Sequence, residues 1–492
     1  MGPLPVGLAS TKSDDNATLR PFAAVRSGGR RAATTLIDQS FSSVSNFAVG
    51  VAVARVAGAS GLGGFSLAYA GWQVIASMHR SLVTDPMAIE GDVYHADGDG
   101  HDTRIRGGIK RGFAAEMLLG AAAASIFALA GGALMLLGQR TFGIAMLALA
   151  PWLPLLLVQD YWRWVGFMTR RPGCALANDA VFNCVQGAAL VAVFVFHTHS
   201  MVAVIACWGL GSMAGALYGL WQHRVLPSLA GGVRMLVDHW SVSKWLAGIS
   251  LWVSGGGQVS VFIMGAILGP AGLGGLKAAQ TLVAGPTGVL IIAGGSIGLP
   301  EATKAFKEKG WSGLSRVARL VTLCGFLSFL VGGVVIAIFG RSLLSAVYGP
   351  AFGHLELVAL LMAISYVVCS LTLGPILVLK ATRNTRWLFH TELVTVAVSL
   401  CSVAALSVAY GVTGAAAAAI VAQSASVTGA RWAQSRVRKS IREQEAGADS
   451  AVESEALSRP PPPGGGAQPP VTVEVGQSPN PKRPRPTRDV SA

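Results

Sequence analysis

Charged residues are scarce in this sequence, and their scarcity excludes an ordinary soluble domain. Only 13% of the 492 residues are Asp, Glu, Lys or Arg, whereas about 25% is usual in soluble proteins. Apolar residues make up 52% of the chain, and the mean hydropathy is +0.54. The composition therefore predicts an all-α polytopic membrane protein.

Cysteine pairs and catalytic motifs are also lacking. The six cysteines fall within apolar segments and form no CxxC pair, which argues against a disulfide framework or a cysteine metal site. The sequence has no GxxxxGKS/T loop, no GxGxxG after a strand and no HExxH motif. No segment is large enough for a soluble domain that hydrolyses ATP. We therefore expect a protein that is not an enzyme and has no cofactor.

One polar segment, 91–112, could suggest a metal site. It contains GDGHD near its centre and offers oxygen and nitrogen ligands from His95, Asp97, Asp99, His101 and Asp102. The glycine and the closing glutamate of an EF-hand loop are absent. We interpret the segment as a solvated loop and predict no metal site.

Long apolar segments are what the sequence does contain. Twelve are long enough to cross the hydrocarbon core as helices, and they lie near 32–56, 62–84, 113–137, 141–165, 173–196, 200–222, 245–268, 272–298, 314–339, 353–379, 387–410 and 412–435. The first 31 residues are polar and basic with no separate apolar core, so we expect no cleaved signal peptide.

Lysine and arginine predict the orientation of these spans. Seventeen lie in the loops of one side, within 104–111, 170–171, 224–244, 304–319 and 380–386, whereas the other side holds Arg55, Arg140 and Arg341. Because cytoplasmic loops carry the excess of lysine and arginine, both termini are predicted to be cytoplasmic. The net charge of +14 is therefore interpreted as a topology signal, and no nucleic-acid partner is expected.

An internal repeat divides the spans into two sets of six. The tetrapeptide Gly61–Gly64 returns as Gly272–Gly275, 211 residues later, and each copy is predicted to be a turn between two apolar helices. At a similar offset Asp179 matches Glu392. We expect two parallel six-helix lobes because each crosses the membrane an even number of times. The predicted regions are a basic cytoplasmic segment 1–31, lobes 32–222 and 245–438, a cytoplasmic linker 223–244, and a disordered cytoplasmic tail 439–492.

Polar and small residues form a stripe on four of the predicted helices. Spacings of three and four residues keep each stripe on one face. The residues are Ser66, Tyr69, Gln73, Ser77, Arg80 and Thr84 on the second helix, Lys277, Gln280, Thr281, Ala284, Gly288 and Gly295 on the eighth, Asp38, Ser42, Ser45 and Asn46 on the first, and Ser250, Ser254, Gly257 and Gln258 on the seventh. Small polar residues also join membrane helices, but four repeat-related stripes favour a lined cavity.

Charged side chains indicate which kind of ligand the predicted cavity would bind. Arg80 and Lys277 are predicted to place a cation towards each side, which suits an anionic head group such as phosphate or pyrophosphate. Snorkelling to the interface is an equal alternative for Arg80. We expect cavity contacts from Arg80, Lys277, Gln73, Ser77, Tyr69, Gln280, Asn46 and Gln258. Asp38, Asp179 and Glu392 are candidates for ion coupling, and Asp160 is interpreted as an interfacial anchor.

These features resemble a known family. Twelve helices in two parallel halves, the repeated glycine turn, and the run QDYWR at 159–163 ahead of Phe167 are similar to the polysaccharide transporter branch of the multidrug/oligosaccharidyl-lipid/polysaccharide (MOP) superfamily, the Wzx-like flippases. The resemblance implies a V-shaped bundle that alternates between inward-open and outward-open states. It also implies a polyprenyl-diphosphate-linked glycan as substrate, with Arg80 and Lys277 matching the cavity cations by position. The related lipid II flippases usually have fourteen helices.

The predicted function is a flippase of the plasma (inner) membrane. It would move a lipid-linked oligosaccharide, a precursor of a cell-envelope polysaccharide, to the outer leaflet by alternating access. An ion-coupled exporter of drugs or cations of the MATE type is the alternative. An integral-membrane glycosyltransferase is a third hypothesis, but the outward loops are too short for catalytic residues. Membrane lipids are expected partners, and the tail could bind polysaccharide-assembly proteins.

Overall fold

The computed structural model describes residues 20–89, 101–169, 171–225 and 229–458, with side chains for 45–88, 106–169, 171–225, 231–252, 254–284, 298–443 and 447. Thirteen α-helices follow one another in these ranges: α1 Arg20–His79, α2 Asp85–Ile89, α3 His101–Leu136, α4 Arg140–Leu149, α5 Leu153–Met168, α6 Pro172–Val195, α7 Met201–His223, α8 Leu229–Asp238, α9 Trp240–Ser250, α10 Gly256–Tyr348, α11 Glu356–Ser370, α12 Leu373–Ala381 and α13 Thr385–Ser458.

Short irregular helices join several of these elements. Two 3₁₀ segments, Ala150–Trp152 and Pro350–Leu355, each contain a proline near their start and lead into α5 and α11. Two π-helical segments, Arg80–Thr84 and Leu251–Gly255, continue α1 into α2 and α9 into α10. π-Helical turns are rare and occur often at functional sites.

Within the described residues, nine helices are long and apolar enough to cross a membrane. They are Ser45–Ala88, Arg106–Leu136, Arg140–Met168, Pro172–Val195, Met201–His223, Gly256–Ala284, Gly298–Tyr348, Pro350–Ala381 and Thr385–Glu443. A helix spans the hydrocarbon with about 20 residues. The prediction of a multi-pass helical membrane protein is thus confirmed, whereas the count of twelve spans and the position of the termini stay predictions.

The longest helices fold back on themselves at single glycines. Gly58 in α1, Gly269 and Gly310 in α10, and Gly411 in α13 have φ between 58° and 68°, a left-handed conformation that only glycine adopts readily. A Cβ built on Gly272 would lie 2.8 Å from the Cβ of Leu268, whereas residues four apart on a straight helix have Cβ atoms about 5–6 Å apart. The chain therefore reverses direction at these glycines.

The repeated tetrapeptides are not themselves turns, and that prediction is wrong. Gly61–Gly64 and Gly272–Gly275 have helical backbone, and each reversal occurs three residues earlier, at Gly58 and Gly269. The positive φ that a reversal needs falls on those two glycines. The tetrapeptides instead begin the returning helix, where they let it approach its neighbours closely.

One hydrophobic core joins the first and second halves of the chain. It includes Val53, Phe65 and Trp208 from the first half and Leu276 and Tyr348 from the second. The α1 and α10 helices form the most extensive contact between elements. Any site lined by α1 is therefore positioned by packing against both halves.

Three segments that were predicted to be non-helical are at least partly helical in the structure. The segment 91–112, predicted to be a solvated loop, enters α3 at His101. The linker 223–244 contains α8 and the start of α9. The α13 helix continues to Ser458, so residues 439–458 are helical where the composition predicts disorder. This stretch is rich in helix-forming alanine and glutamate and has no proline before Pro460. Residues 459–492, the rest of the tail 439–492 that is predicted to bind assembly proteins, lie outside the described part.

Candidate functional site

A small cavity lies among α1, α5, α6 and α7. Its volume is about 120 Å³, and it is lined by Ser45, Asn46, Tyr69, Trp72, Gln73, Ala76, Arg80, Leu156, Gln159, Asp160, Arg163, Asp179, Phe182, Asn183 and Trp208. Sites for drug-sized ligands commonly measure about 300–1,000 Å³. In this conformation the cavity has room for a few water molecules or for a small part of a larger ligand.

Aromatic rings form one wall of the cavity. The spacing of Phe65, Tyr69 and Trp72 places them on one face of α1, and Trp208 meets them from α7. The Trp208 ring centroid lies 5.7 Å from that of Tyr69 and 6.0 Å from those of Phe65 and Trp72. This packing holds the rings in fixed orientations with little conformational freedom.

Amide side chains form a second wall and connect three helices. Gln159 on α5 donates from Nε2 to Asn178 Oδ1 at 3.1 Å and to Asp179 Oδ1 at 2.8 Å, both on α6. Asn178 in turn donates from Nδ2 to the carbonyl oxygen of Gly215 on α7 at 2.7 Å. Hydrogen bonds that are satisfied in this way fix the positions of polar groups inside a membrane protein.

Two arginines and two aspartates supply the charges of the cavity. Nε and Nη2 of Arg80 each lie 3.2 Å from Asp160 Oδ2, and Arg163 Nε lies 3.1 Å from Asp179 Oδ2. The Arg80 side chain remains 42% exposed, with its guanidinium 5.8 Å from the centre of the Trp164 ring. The formal charges balance, and Arg80 keeps donors available to a ligand.

Behind Asp160 lies a buried triad of ionisable side chains. His79 Nε2 is 2.8 Å from Asp160 Oδ2, and His79 Nδ1 is 3.0 Å from Glu116 Oε1. His79 is 1% exposed and Glu116 is not exposed at all. The triad joins α3 to α1 and α5, and Asp160 links it to the cavity.

The structure brings together five of the residues predicted for the site. Asn46, Tyr69, Gln73, Arg80 and Asp179 all line the cavity. Tyr69, Gln73 and Arg80 come together through the predicted stripe on the second apolar segment, whereas Asn46 lies before the reversal at Gly58 and Asp179 lies on α6. Their binding roles stay predictions.

The other predicted residues lie away from this cavity. Ser77 is on the same helix, and its carbonyl oxygen accepts a hydrogen bond from Ser81 Oγ at 3.2 Å. Lys277 Nζ donates to Gln280 Oε1 at 3.0 Å within α10, and Gln258 is on the same helix. Glu392 is on α13. The Asp38 side chain is outside the described residues.

Sequence reasoning missed His79 and Glu116 and did not include Asp160 in the cavity. Asp160 was interpreted as an interfacial anchor, and the structure adds that it is buried among the helices and contacts both His79 and Arg80. A signal for Glu116 existed, because it is the one charged residue in the apolar segment 113–137. Nothing in the sequence indicates that these three side chains meet, since they lie on different helices.

No group of three His, Cys, Asp or Glu side chains arranged to hold a metal ion occurs among the described residues. The side chains of the candidate ligands from His95 to Asp102 lie outside the described part.

Sequence comparisons give no relatives, but the fold has many. No protein-family profile matches the chain, and no curated sequence is similar to it. A multidrug-resistance MATE transporter of the MOP superfamily, in an inward-facing conformation, superposes with a TM-score of 0.65 over 80% of this chain and 94% of its own, at 12% identity. The chain has the fold of the MOP transporters.

Two further MOP-fold structures extend the similarity. The lipid II flippase MurJ, in an inward closed conformation, has a TM-score of 0.59, with 12% identity over 80% of this chain and 86% of its own. A MOP superfamily transporter from Pyrococcus furiosus, whose binding pocket is described as reversed in polarity, has a TM-score of 0.55, with 12% identity over 84% and 95%. At this identity the similarity concerns the fold and carries over no residue roles.

Proposed function

We propose that this chain is a flippase that moves a polyprenyl-diphosphate-linked oligosaccharide to the outer leaflet of the plasma membrane. The lining of the cavity among α1, α5, α6 and α7 is the observation that carries the proposal. It combines three kinds of group that such a head group requires: flat aromatic surfaces, amides and a guanidinium.

The aromatic and amide walls suit a sugar. A sugar ring has an apolar face that can pack on Tyr69, Trp72 or Trp208, and hydroxyl groups that exchange hydrogen bonds with amides such as Gln73 and Asn183. Mostly apolar walls with a few placed polar groups are typical of small-molecule sites. The cavity would have to widen to admit a whole sugar, as alternating access requires.

Arg80 suits the diphosphate. Its guanidinium is anchored on one side by Asp160 and is partly exposed on the other. A planar guanidinium can donate two parallel hydrogen bonds to a phosphate, which a lysine ammonium does not reproduce. The ion pair with Asp160 holds Arg80 in place when no anion is bound.

The helix count and the topology are part of the proposal. Dividing the long helices at Gly58, Gly269, Gly310 and Gly411 separates antiparallel segments, which supports twelve spans in two lobes, 32–222 and 245–438. Twelve spans together with the lysine and arginine bias of the loops support cytoplasmic positions for both termini. MurJ, which shares the fold, is itself a flippase of lipid II.

The alternative of a cation exporter is less well supported by the cavity. An exporter of organic cations needs an acidic site, but Asp160 and Asp179 each have an arginine partner within 3.2 Å. The lining therefore offers an organic cation no carboxylate without an arginine partner, whereas the partly exposed Arg80 can donate to an anion.

A flipping assay tests the proposal. Purified protein in liposomes should move a fluorescent diphosphate-linked oligosaccharide to the outer leaflet, where a membrane-impermeant quencher removes its fluorescence. R80A should lower the rate of this transfer by at least about tenfold, equivalent to about 1.4 kcal/mol. R80K should recover part of the rate because it keeps the charge but loses the planar fork. R234A is the matched control, since Arg234 is exposed and pairs with Asp238 on α8. Unchanged flipping by R80A, or transport of cationic dyes but of no lipid-linked glycan, contradicts the proposal.

A further inference from the structure

The His79–Glu116–Asp160 triad is buried among the helices. His79 and Glu116 are closed off from solvent, and the triad reaches the cavity through Asp160. Ionisable side chains inside membrane spans are energetically costly, and they commonly mark pathways for ions or protons. The sugar and phosphate contacts proposed above do not use His79 or Glu116.

The hydrogen-bond geometry fixes the number of protons in the triad. Each ring nitrogen of His79 faces a carboxyl oxygen, at 2.8 Å and 3.0 Å. A neutral imidazole has one N–H and one lone pair, so a lone pair would face an ionised oxygen if both carboxyl groups were charged. Such a contact is repulsive in a buried site. The triad therefore holds one proton more than a neutral ring with two carboxylates.

The surroundings of the two carboxyl groups indicate where this proton resides. Asp160 contacts Arg80 and Arg163, so its negative charge is compensated. Glu116 Oε2 is buried and makes no hydrogen bond to any residue that the structure describes. An ionised carboxylate with an unsatisfied oxygen is expensive to bury, whereas the carbonyl oxygen of a neutral carboxyl group is much less so. Glu116 Oε1–H then donates to His79 Nδ1, and His79 Nε2–H donates to Asp160 Oδ2.

A single atom connects this proton to the ligand site. Asp160 Oδ2 accepts from His79 Nε2 at 2.8 Å and from Arg80 Nε and Nη2 at 3.2 Å. An anion that draws Arg80 towards itself leaves His79 as the remaining close donor to this oxygen. Loss of the proton from the triad has the opposite effect, because Asp160 then binds Arg80 more strongly and withdraws it from the anion.

We propose that the His79–Glu116–Asp160 triad is a proton-binding site whose occupancy is linked to the binding of a phosphate-containing anion at Arg80. The link, though not the proton site, rests on the flippase function proposed above. Other charged groups near the triad are Asp85, which lies within electrostatic range of Arg80 and His79, and Arg163 with its partner Asp179. The sign of the link is positive: protonation strengthens anion binding, and the anion favours protonation.

The proton site is tested first in the absence of any ligand. Infrared difference spectra of the full-length protein in nanodiscs, recorded during a pH titration, should show the C=O stretch of a buried protonated carboxyl group. E116Q should remove this band, and E356Q, a change of an exposed glutamate on α11, should retain it. In NMR spectra of the wild-type protein labelled with ¹⁵N-histidine, one imidazole ring should be protonated at Nε2 and accept a hydrogen bond at Nδ1. Absence of the band and of this tautomer from the wild type overturns the site without any variant.

The link is tested by calorimetry with inorganic pyrophosphate as the probe. Wild-type protein should take up protons on binding, and its affinity should fall about 5- to 150-fold between the protonated and deprotonated states. E116Q resembles the protonated carboxyl group, so it should bind at every pH with the affinity of the protonated wild type. E356Q should keep the wild-type pH dependence. An E116Q variant with wild-type pH dependence overturns the link.

The two proposals fail in different ways. R80A should lose pyrophosphate binding and keep the infrared band, because Arg80 contacts Asp160 but not Glu116. Suppose that the wild type shows the infrared band, that E116Q removes it, and that pyrophosphate does not bind at any pH. This result supports the proton site and contradicts the anion site. Pyrophosphate binding without proton uptake supports the anion site and contradicts the link.

Discussion

Gly63 and Gly274 make reciprocal contacts between the α1 and α10 hairpins. A Cβ on Gly63 would overlap the carbonyl oxygen of Pro270, and a Cβ on Gly274 would overlap the carbonyl oxygen of Ala59. Both Gly63 with Gly274 and Ala59 with Pro270 are 211 residues apart, so the internal repeat relates the two contacts. The hairpins touch here because neither helix carries a side chain at the point of contact.

We expect Gly63→Ala to separate the two hairpins. The obstacle to the added methyl group is a backbone carbonyl, which cannot rotate away as a side chain can. In the proposed topology this contact closes the outer end, so a cysteine replacing the buried Leu67 should react faster with a membrane-impermeant thiol reagent. The measurement requires a background in which the six native cysteines are replaced. Flipping should slow in parallel.

Gly50→Ala is the matched control for this change. Gly50 lies on the other arm of α1, before the reversal at Gly58, and a Cβ there would meet no atom within 4 Å. The control should leave both the labelling rate and the flipping rate unchanged. If Leu67→Cys is labelled at the same rate with Gly63→Ala as without it, closure does not depend on the glycine contact.

The sequence predicted the membrane class and one wall of the site because both depend on periodicity. Apolar runs identify spans, and residues three and four apart share a helix face, which is why Tyr69, Gln73 and Arg80 do line one cavity. Lys277 was expected there through the repeat, but the cavity is formed within the first half of the chain. A repeat relates positions within the halves and does not determine which half forms a cavity in a given conformation.

Contacts between helices were not predictable from one sequence. The partner of Arg80 depends on the rotation of α5, which packing determines, and this rotation turns Asp160 inward to Arg80 and His79. The sequence also does not identify which glycine makes each reversal, because several glycines lie close together near Gly58 and Gly269. Backbone conformation, not the presence of glycine, decides which of them has the positive φ.

A second contact between the halves gives a prediction for the π-helical segment Arg80–Thr84 that follows α1. Ser81 Oγ lies 2.5 Å from Ser250 Oγ, and Ser243 Oγ donates to the carbonyl oxygen of Leu82 at 3.4 Å. Ser81 is 18 residues beyond Gly63, or about 27 Å along a helix. We expect the pair S81C and S250C, in a background without native cysteines, to form a disulfide on mild oxidation and to stop flipping until it is reduced.

The single variants S81C and S250C are the controls for this cross-link. Each should flip at the wild-type rate under oxidising and reducing conditions, because neither can bridge the two helices. Full flipping by the oxidised pair, with the cross-link verified by mass spectrometry, would show that this end need not open during transport.

Tyr161 provides a prediction about stability alone. Its hydroxyl donates to the carbonyl oxygen of Ile109 at 2.7 Å, and its ring is completely buried. Tyr161→Phe removes this donor and leaves a buried carbonyl group without it, so the free energy of unfolding should fall by about 1–3 kcal/mol. Thermal unfolding in detergent measures the change. Tyr410→Phe, at an exposed ring on α13, should have almost no effect; an equal loss in both variants would show that the Ile109 bond does not stabilise the fold.

The interaction energy of the buried Arg163–Asp179 ion pair can be compared with that of an ion pair on the surface of the same protein. Arg163 Nε lies 3.1 Å from Asp179 Oδ2, and both side chains are largely buried. Removing either partner leaves the other charge in a buried setting, whereas removing both leaves none, so the effects of R163Q and D179N should not add. We expect the double variant to be more stable than the sum of the single changes predicts, by about 0.5–3 kcal/mol.

Arg234 and Asp238 supply the reference cycle, because their N–O distance of 3.7 Å joins side chains that are mostly exposed on one helix. Water screens such a pair, and its coupling should be about 0.3–0.5 kcal/mol. Thermal unfolding of the four proteins in each cycle gives both energies under identical conditions. Equal coupling in the two cycles would mean that water reaches Arg163 and Asp179 as freely as it reaches the surface. In that case the cavity would be hydrated in solution, and its charge balance would weigh less against a cationic ligand.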